Sequence, residues 1–152
     1  MTDAVRGVRP RLAAALLLVW AVAWSVPAGR ISEDTKNDLY VAPWQLLARA
    51  THLWDPQVTW GVLQNQGYGY LFPMGPFFGL VGEVLPVWVA QRLWWSLLLT
   101  VGLLATHALL VALRVGGPTA RVLGALAYTL SPRVLSTIGG LKTTFLAKRA
   151  VS

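Results

Sequence analysis

The sequence predicts an all-α integral membrane chain with about three spanning helices and one large external loop. Hydrophobic residues make up 55% of its 152 residues and charged ones only 12%, against roughly 25% charged in an ordinary soluble domain. Long uncharged apolar runs recur along the chain, as helices that cross hydrocarbon require. Eight tryptophans suit the boundary between hydrocarbon and water, where indole rings settle. There is no cysteine, which excludes disulfide scaffolds, thiolate metal sites and cysteine nucleophiles.

The formal charge of +7 does not point to nucleic acid. Basic residues punctuate the ends of apolar segments instead of forming a stripe, and that is a topology signal. Residues 1–11 are a basic leader with Arg6, Arg9 and Arg11, expected in the cytoplasm. Residues 12–28 are the first expected span, near the lower limit of about 17 residues. The run ending in Val26-Pro27-Ala28 also fits a cleavable signal peptide, but Pro27 and the later apolar runs favour an uncleaved anchor. Residues 29–87 hold three basic and five acidic residues between basic flanks, so the positive-inside rule places this loop outside.

Half of the acidic residues of the chain, Glu33, Asp34 and Asp38, crowd into the start of that loop. Farther on, Pro43 to Trp54 reads as a short amphipathic helix at the bilayer surface. Pro43 suits its first position, Trp44, Leu47 and Leu53-Trp54 supply its apolar face, and Asp55-Pro56 ends it. Gly61 to Gly82 is aromatic and broken by glycine and proline. It is expected to be a re-entrant segment, because irregular backbone at membrane depth must be covered by protein or line a cavity.

Residues 88–113 are the second expected span and 114–121 a cytoplasmic turn around Gly116-Gly117-Pro118. Residues 122–141 are the third, interrupted by Pro132 and Arg133. An arginine inside a span marks a function or an aqueous cavity. A straight helix from Arg121 would carry Arg133 ~18 Å, past the middle of the bilayer toward the outside. Residues 142–152 are a basic, patternless tail. The glycine-rich pieces match neither a P-loop nor a dinucleotide fingerprint.

Four stretches follow one another in order: Asp34-Thr35-Lys36-Asn37-Asp38-Leu39, Gln64-Asn65-Gln66-Gly67-Tyr68-Gly69-Tyr70-Leu71-Phe72-Pro73, Gln91-Arg92-Leu93-Trp94-Trp95 and Leu130-Ser131-Pro132-Arg133-Val134-Leu135. Through them the chain, over about Arg11 to Gly140, resembles the N-terminal region of the mycobacterial D-type α-(1→3)-arabinofuranosyltransferases, which are polytopic glycosyltransferases of the GT-C class. The resemblance implies a pentosyltransferase of the plasma membrane. Such an enzyme takes arabinofuranose from decaprenyl-phosphate-arabinose and adds it to the arabinan of arabinogalactan and lipoarabinomannan on the outer face. It also implies that an acidic residue soon after the first span is the catalytic base, a position Asp34 matches. The family continues past the Gly139 region into further spans, whereas this chain turns into Lys142-Thr143-Thr144-Phe145. A truncated or frameshifted copy, too short to act alone, is the expectation.

Transfer of a sugar from a lipid phosphate needs a base at the acceptor hydroxyl and a cation at the departing phosphate. Asp34 is the candidate base, with Asp38 as a second carboxylate or a helix cap. Arg133, Arg92 and Lys36 are the phosphate candidates. Each also has an ordinary explanation: snorkelling for Arg92, pairing with carbonyls for Arg133, pairing with acidic neighbours for Lys36. Gln64, Asn65, Tyr68 and Tyr70 suggest a platform for sugar or lipid, though an interfacial aromatic belt explains the rings nearly as well. His52 and His107 are isolated, so no metal site is expected from protein ligands alone. A divalent cation between Asp34, Asp38 and a lipid phosphate stays open. Two other functions also stay open: a non-catalytic fragment or small helix-pairing membrane protein, and a GT-C transferase using another polyprenyl-phosphate sugar such as mannose.

Overall fold

The computed structural model describes residues 2–31, 37–56, 60–63, 67–136 and 138. It is mostly helical and divides into two units, one of residues 1–32 with 92–152 and one of residues 33–91.

The first unit is built on an antiparallel pair. Helix α1 runs Thr2–Ala23. It starts ten residues before the expected 12–28 span and ends five before it does. The basic leader therefore continues the same helix, with Pro10 inside it. The early end has a local cause. Ser25 turns back on Val22, its N–H and its hydroxyl both donating to that carbonyl. Pro27 and Gly29, the latter at φ 77°, then carry the chain out of helical space.

Helix α5, Val87–Ala112, is long and apolar enough to cross a membrane, and is alone in this among the described residues. Its part from Arg92 onward packs on α1 through two apolar clusters. One joins Val19, Ala23 and Val26 to Leu99 and Ile138; the other joins Ala15 to Leu103, Val122 and Ala125. Small residues such as Ala15 and Ala125 favour close packing, which is what holds helices together where lipid offers no hydrophobic contrast.

A Schellman motif closes α5. Val115 N–H reaches Leu110 O at 3.1 Å and Arg114 N–H reaches Val111 O at 3.1 Å. Arg114, at φ 55°, fills the left-handed position usual for glycine, so the turn begins two residues before Gly116. Helix α6, Pro118–Thr129, opens with proline in its first turn. Its 12 residues span ~18 Å, short of the ~30 Å hydrocarbon core. The expected 122–141 span, interrupted at Pro132 and Arg133, is in two pieces over its described part. Leu130 leaves the helix, Ser131 is held out of it by the following proline, and helix resumes over 132–136.

In the second unit, α2 (Asp38–Val41) and α3 (Pro43–Ala50) pack on α4 (Met74–Gly82) around Leu39, Tyr40, Leu46 and Phe78. Between α3 and α4 lie a two-residue antiparallel ladder, β1 (Trp54–Asp55) with β2 (Val62–Leu63), and a 3₁₀ turn over Gly67–Tyr70. Helix α3 stops at Ala50, not Trp54. Thr51 Oγ1 donates to Ala48 O at 2.7 Å, and Trp54-Asp55 pair as strand instead. The glycine-rich stretch expected to be irregular contains α4 as a regular helix. Its glycines serve approach: a Cβ on Gly75 would collide with Leu47, and one on Gly79 would come 2.7 Å from Trp44.

Candidate functional site

Beside the break after α6 lies a cavity of about 440 Å³ within the first unit. Trp95, Leu98, Leu99 and Gly102 of α5 line it, with Tyr128, Thr129, Ser131 and Arg133 across from them. Its walls are mainly apolar, but Thr129 brings a polar atom. This residue is only 4% exposed, and among the described residues its Oγ1 has no hydrogen-bond partner. A buried hydroxyl left unsatisfied carries a desolvation cost of about 1–3 kcal/mol. Thr129 and Arg133, four residues apart, would share a face even on an unbroken helix; the break at Leu130 brings Ser131, which a straight helix would turn away, to the same cavity. An apolar chamber with hydroxyls and an exposed guanidinium suits an amphiphile with an anionic head.

Arg92 lies elsewhere in its chemistry. Its side chain is 3% exposed, and Nη2 donates to Pro27 O at 2.7 Å and to Arg30 O at 3.2 Å. Expected at a phosphate, it ties down the chain that leaves α1. Asp38 opens α2 and does not cap α3, whose preceding residue is Ala42. Instead its Oδ2 receives Arg49 Nη2 at 2.5 Å, an exposed pair joining α2 to α3. Tyr68 is exposed and Tyr70 half-buried in the 3₁₀ turn. Asp34, Lys36, Gln64 and Asn65 lie outside the described residues. No three His, Asp or Glu side chains converge among the described residues.

Sequence reasoning passed over Thr129, Tyr128 and Trp95 as cavity lining, and over the pairing of Trp44 with Glu83. The signal for the first group was the Ser131-Pro132 step, which must interrupt a helix. Nothing in the sequence announced the second.

The helical architecture, with its membrane-type helix, is that of the amino-terminal part of a GT-C glycosyltransferase domain. The family model described as "α-(1→3)-arabinofuranosyltransferase, N-terminal GT-C domain" matches residues 18–148, and the chain belongs to that family. It is 50% identical over 128 residues to the α-(1→3)-arabinofuranosyltransferase of Mycobacterium tuberculosis, covering 83% of this chain and 9% of the relative. It is also 50% identical over 137 residues to that of Mycolicibacterium smegmatis, covering 89% and 10%. The cryo-EM structure of arabinofuranosyltransferase AftD from mycobacteria matches with a TM-score of 0.76 and 44% identity, over 86% of this chain and 10% of that one. The chain spans about a tenth of the length of the curated relatives it matches.

Proposed function

We propose that this chain is the donor-side portion of a membrane enzyme that transfers arabinofuranose from a decaprenyl-phosphate carrier to cell-wall arabinan. In this reading residues 29–87 face the outside of the plasma membrane, α1 and α5 cross it, and α6 with the 132–136 turn returns through it. The charge asymmetry of the flanking segments supports that orientation.

The observation that carries the reading is the apolar cavity with Thr129 inside it and Arg133 on its lining. It offers lipid-like walls for a polyprenyl chain beside a donor set for phosphate oxygens. Asp34 takes the proton of an acceptor hydroxyl, whose oxygen forms a bond to the anomeric carbon as the bond to phosphate oxygen breaks. Configuration inverts, and the phosphomonoester leaves toward the Arg133 guanidinium, which meets the growing charge. Lys36 is the second candidate for that charge. Arg92 and Asp38 take supporting parts, since each already holds a partner within its own unit.

The test replaces the matching segment of a full-length relative with residues 18–148. Membranes containing the chimaera receive decaprenyl-phosphate-arabinose and an oligoarabinofuranoside acceptor. Transfer is expected, with Asp34→Asn lowering it about 10²–10⁴-fold, the range typical of a general base. Undiminished transfer by the Asp34→Asn chimaera sinks the assignment of the base; loss of transfer on adding the wild-type segment sinks the reading as a whole.

A further inference from the structure

We propose that a second, smaller cavity, between α3 and α4, is a carbohydrate subsite that seats one monosaccharide ring on the indole of Trp44 and the carboxylate of Glu83. This cavity lies wholly within the second unit and has a volume of about 210 Å³. Tyr40, Trp44, Phe78, Gly79, Gly82 and Glu83 form its working surface.

The indole is fixed in place. Trp44 Nε1 donates to Glu83 Oε1 at 2.9 Å, across 39 residues of sequence. The ring rests on Gly79, where any Cβ would collide with it at 2.7 Å. Trp44 nonetheless stays 46% exposed. A large aromatic surface held in one orientation and left accessible loses no rotamer freedom on binding. Behind it Tyr40 and Phe78 meet edge to face at 5.3 Å, and Gln91 Nε2 donates to the Tyr40 hydroxyl at 3.1 Å. These contacts stiffen the wall.

The chemistry selects a neutral polyol. The apolar face of a sugar ring lies against an aromatic face, while its hydroxyls seek acceptors. Glu83 gives one carboxylate oxygen to Trp44, and among the described residues its other oxygen has no partner. Among the described residues no basic side chain lines the cavity, so a phosphate head would meet the Glu83 carboxylate there with no cation beside it. The volume falls below the roughly 300–1,000 Å³ of pockets for drug-sized ligands, which suits a single ring over a lipid tail. Gly82 leaves room for that ring, since a Cβ there meets no atom within 4 Å. The identity of the sugar, an arabinofuranose unit of the acceptor glycan, rests on the transferase reading; the subsite itself does not.

The experiment uses the whole chain in nanodiscs of zwitterionic lipid, with no donor present. A methyl-capped linear oligoarabinofuranoside is titrated by calorimetry, and saturation-transfer NMR reports which ring protons touch protein. Saturable binding is expected. Gly82→Leu, which fills open space, should weaken it about tenfold or more, a loss of ~1.4 kcal/mol. Glu83→Gln keeps an oxygen for the Trp44 N–H and removes the charge, and should weaken it severalfold. The proposal is overturned if wild type shows no saturable binding, if Gly82→Leu binds undiminished, or if phosphocholine competes as well as the sugar does. Oligosaccharide binding by a chain whose chimaera transfers nothing would leave the subsite standing and remove the transferase reading.

Discussion

Trp24 Nε1 donates to Ser96 Oγ at 3.1 Å, and four residues away on both segments Trp20 Nε1 donates to Thr100 Oγ1 at 3.0 Å. Arg92, another four residues along α5, answers the carbonyls of Pro27 and Arg30. Arg92, Ser96 and Thr100 therefore form one polar stripe on a mainly apolar helix, since residues four apart share a face. Every member of the stripe is matched from α1 or the chain just beyond it.

Ser96→Ala removes a fully buried hydroxyl and leaves the Trp24 N–H without its acceptor. Interhelical hydrogen bonds in membranes contribute about 0.6 kcal/mol on average and up to about 1.7. A loss within that range is expected in denaturant titrations of the detergent-solubilised chain. Trp24→Phe in the Ser96→Ala background should then cost less than it does alone.

Arg92→Met should be more damaging, because two carbonyls lose a charged donor at once. Hydrogen bonds to charged groups contribute about 1.5–3 kcal/mol each. Faster tryptic cleavage after Arg30, with cleavage after Arg121 unchanged, is the expected pattern. Equal acceleration at both places would show that the arginine supports the fold generally and not the exit from α1.

Asp38→Asn should change stability by no more than about 1 kcal/mol, because its ion pair with Arg49 is exposed, with 55% of the aspartate side chain in solvent. In the chimaeric enzyme it should leave most transfer intact, whereas Asp34→Asn is expected to lower it about 10²–10⁴-fold. Equal losses in a transfer assay would return Asp38 to the chemistry.

Arg114→Gly should stabilise the chain. The residue sits at φ 55° in the closing turn of α5, where a side chain costs roughly 1 kcal/mol that glycine avoids. A higher thermal midpoint in detergent is expected. Arg114→Ala, which keeps a Cβ, should give no such gain.

Helix α5 was legible because its apolar run has no internal breaker, and α3 because Pro43 marks its start. The bounds of α5 lie within one residue of the expected 88–113, but the ends of α1 and α3 were not legible: Ser25 bonding back to Val22 and Thr51 bonding back to Ala48 are local choices that composition leaves undecided. Ser131-Pro132 carried a readable break, and the interruption expected at Pro132 and Arg133 is there one or two residues earlier. Site residues suffered from a different limit. An isolated arginine at the end of an apolar run looks like a phosphate ligand until the Pro27 and Arg30 carbonyls come into view, more than sixty residues away in sequence. The Trp44–Glu83 pair spans 39 residues, and no periodicity connects them.

The stripe on α5 behaves as a ratchet with a single detent. Helices that slide past one another move most readily by one turn, which re-engages their ridges after ~6 Å. Slid one way, Trp24 would bring its N–H against the Arg92 guanidinium, donor facing donor, and Trp20 would take Ser96. Slid the other way, Trp24 would find Thr100, but Trp20 would reach apolar Leu104 and Arg92 would lose both carbonyls. The order of arginine, serine and threonine along α5 favours neither shift, so the register of α1 and of the Pro27–Arg30 exit that follows it is set to within a turn by three side chains on the neighbouring helix.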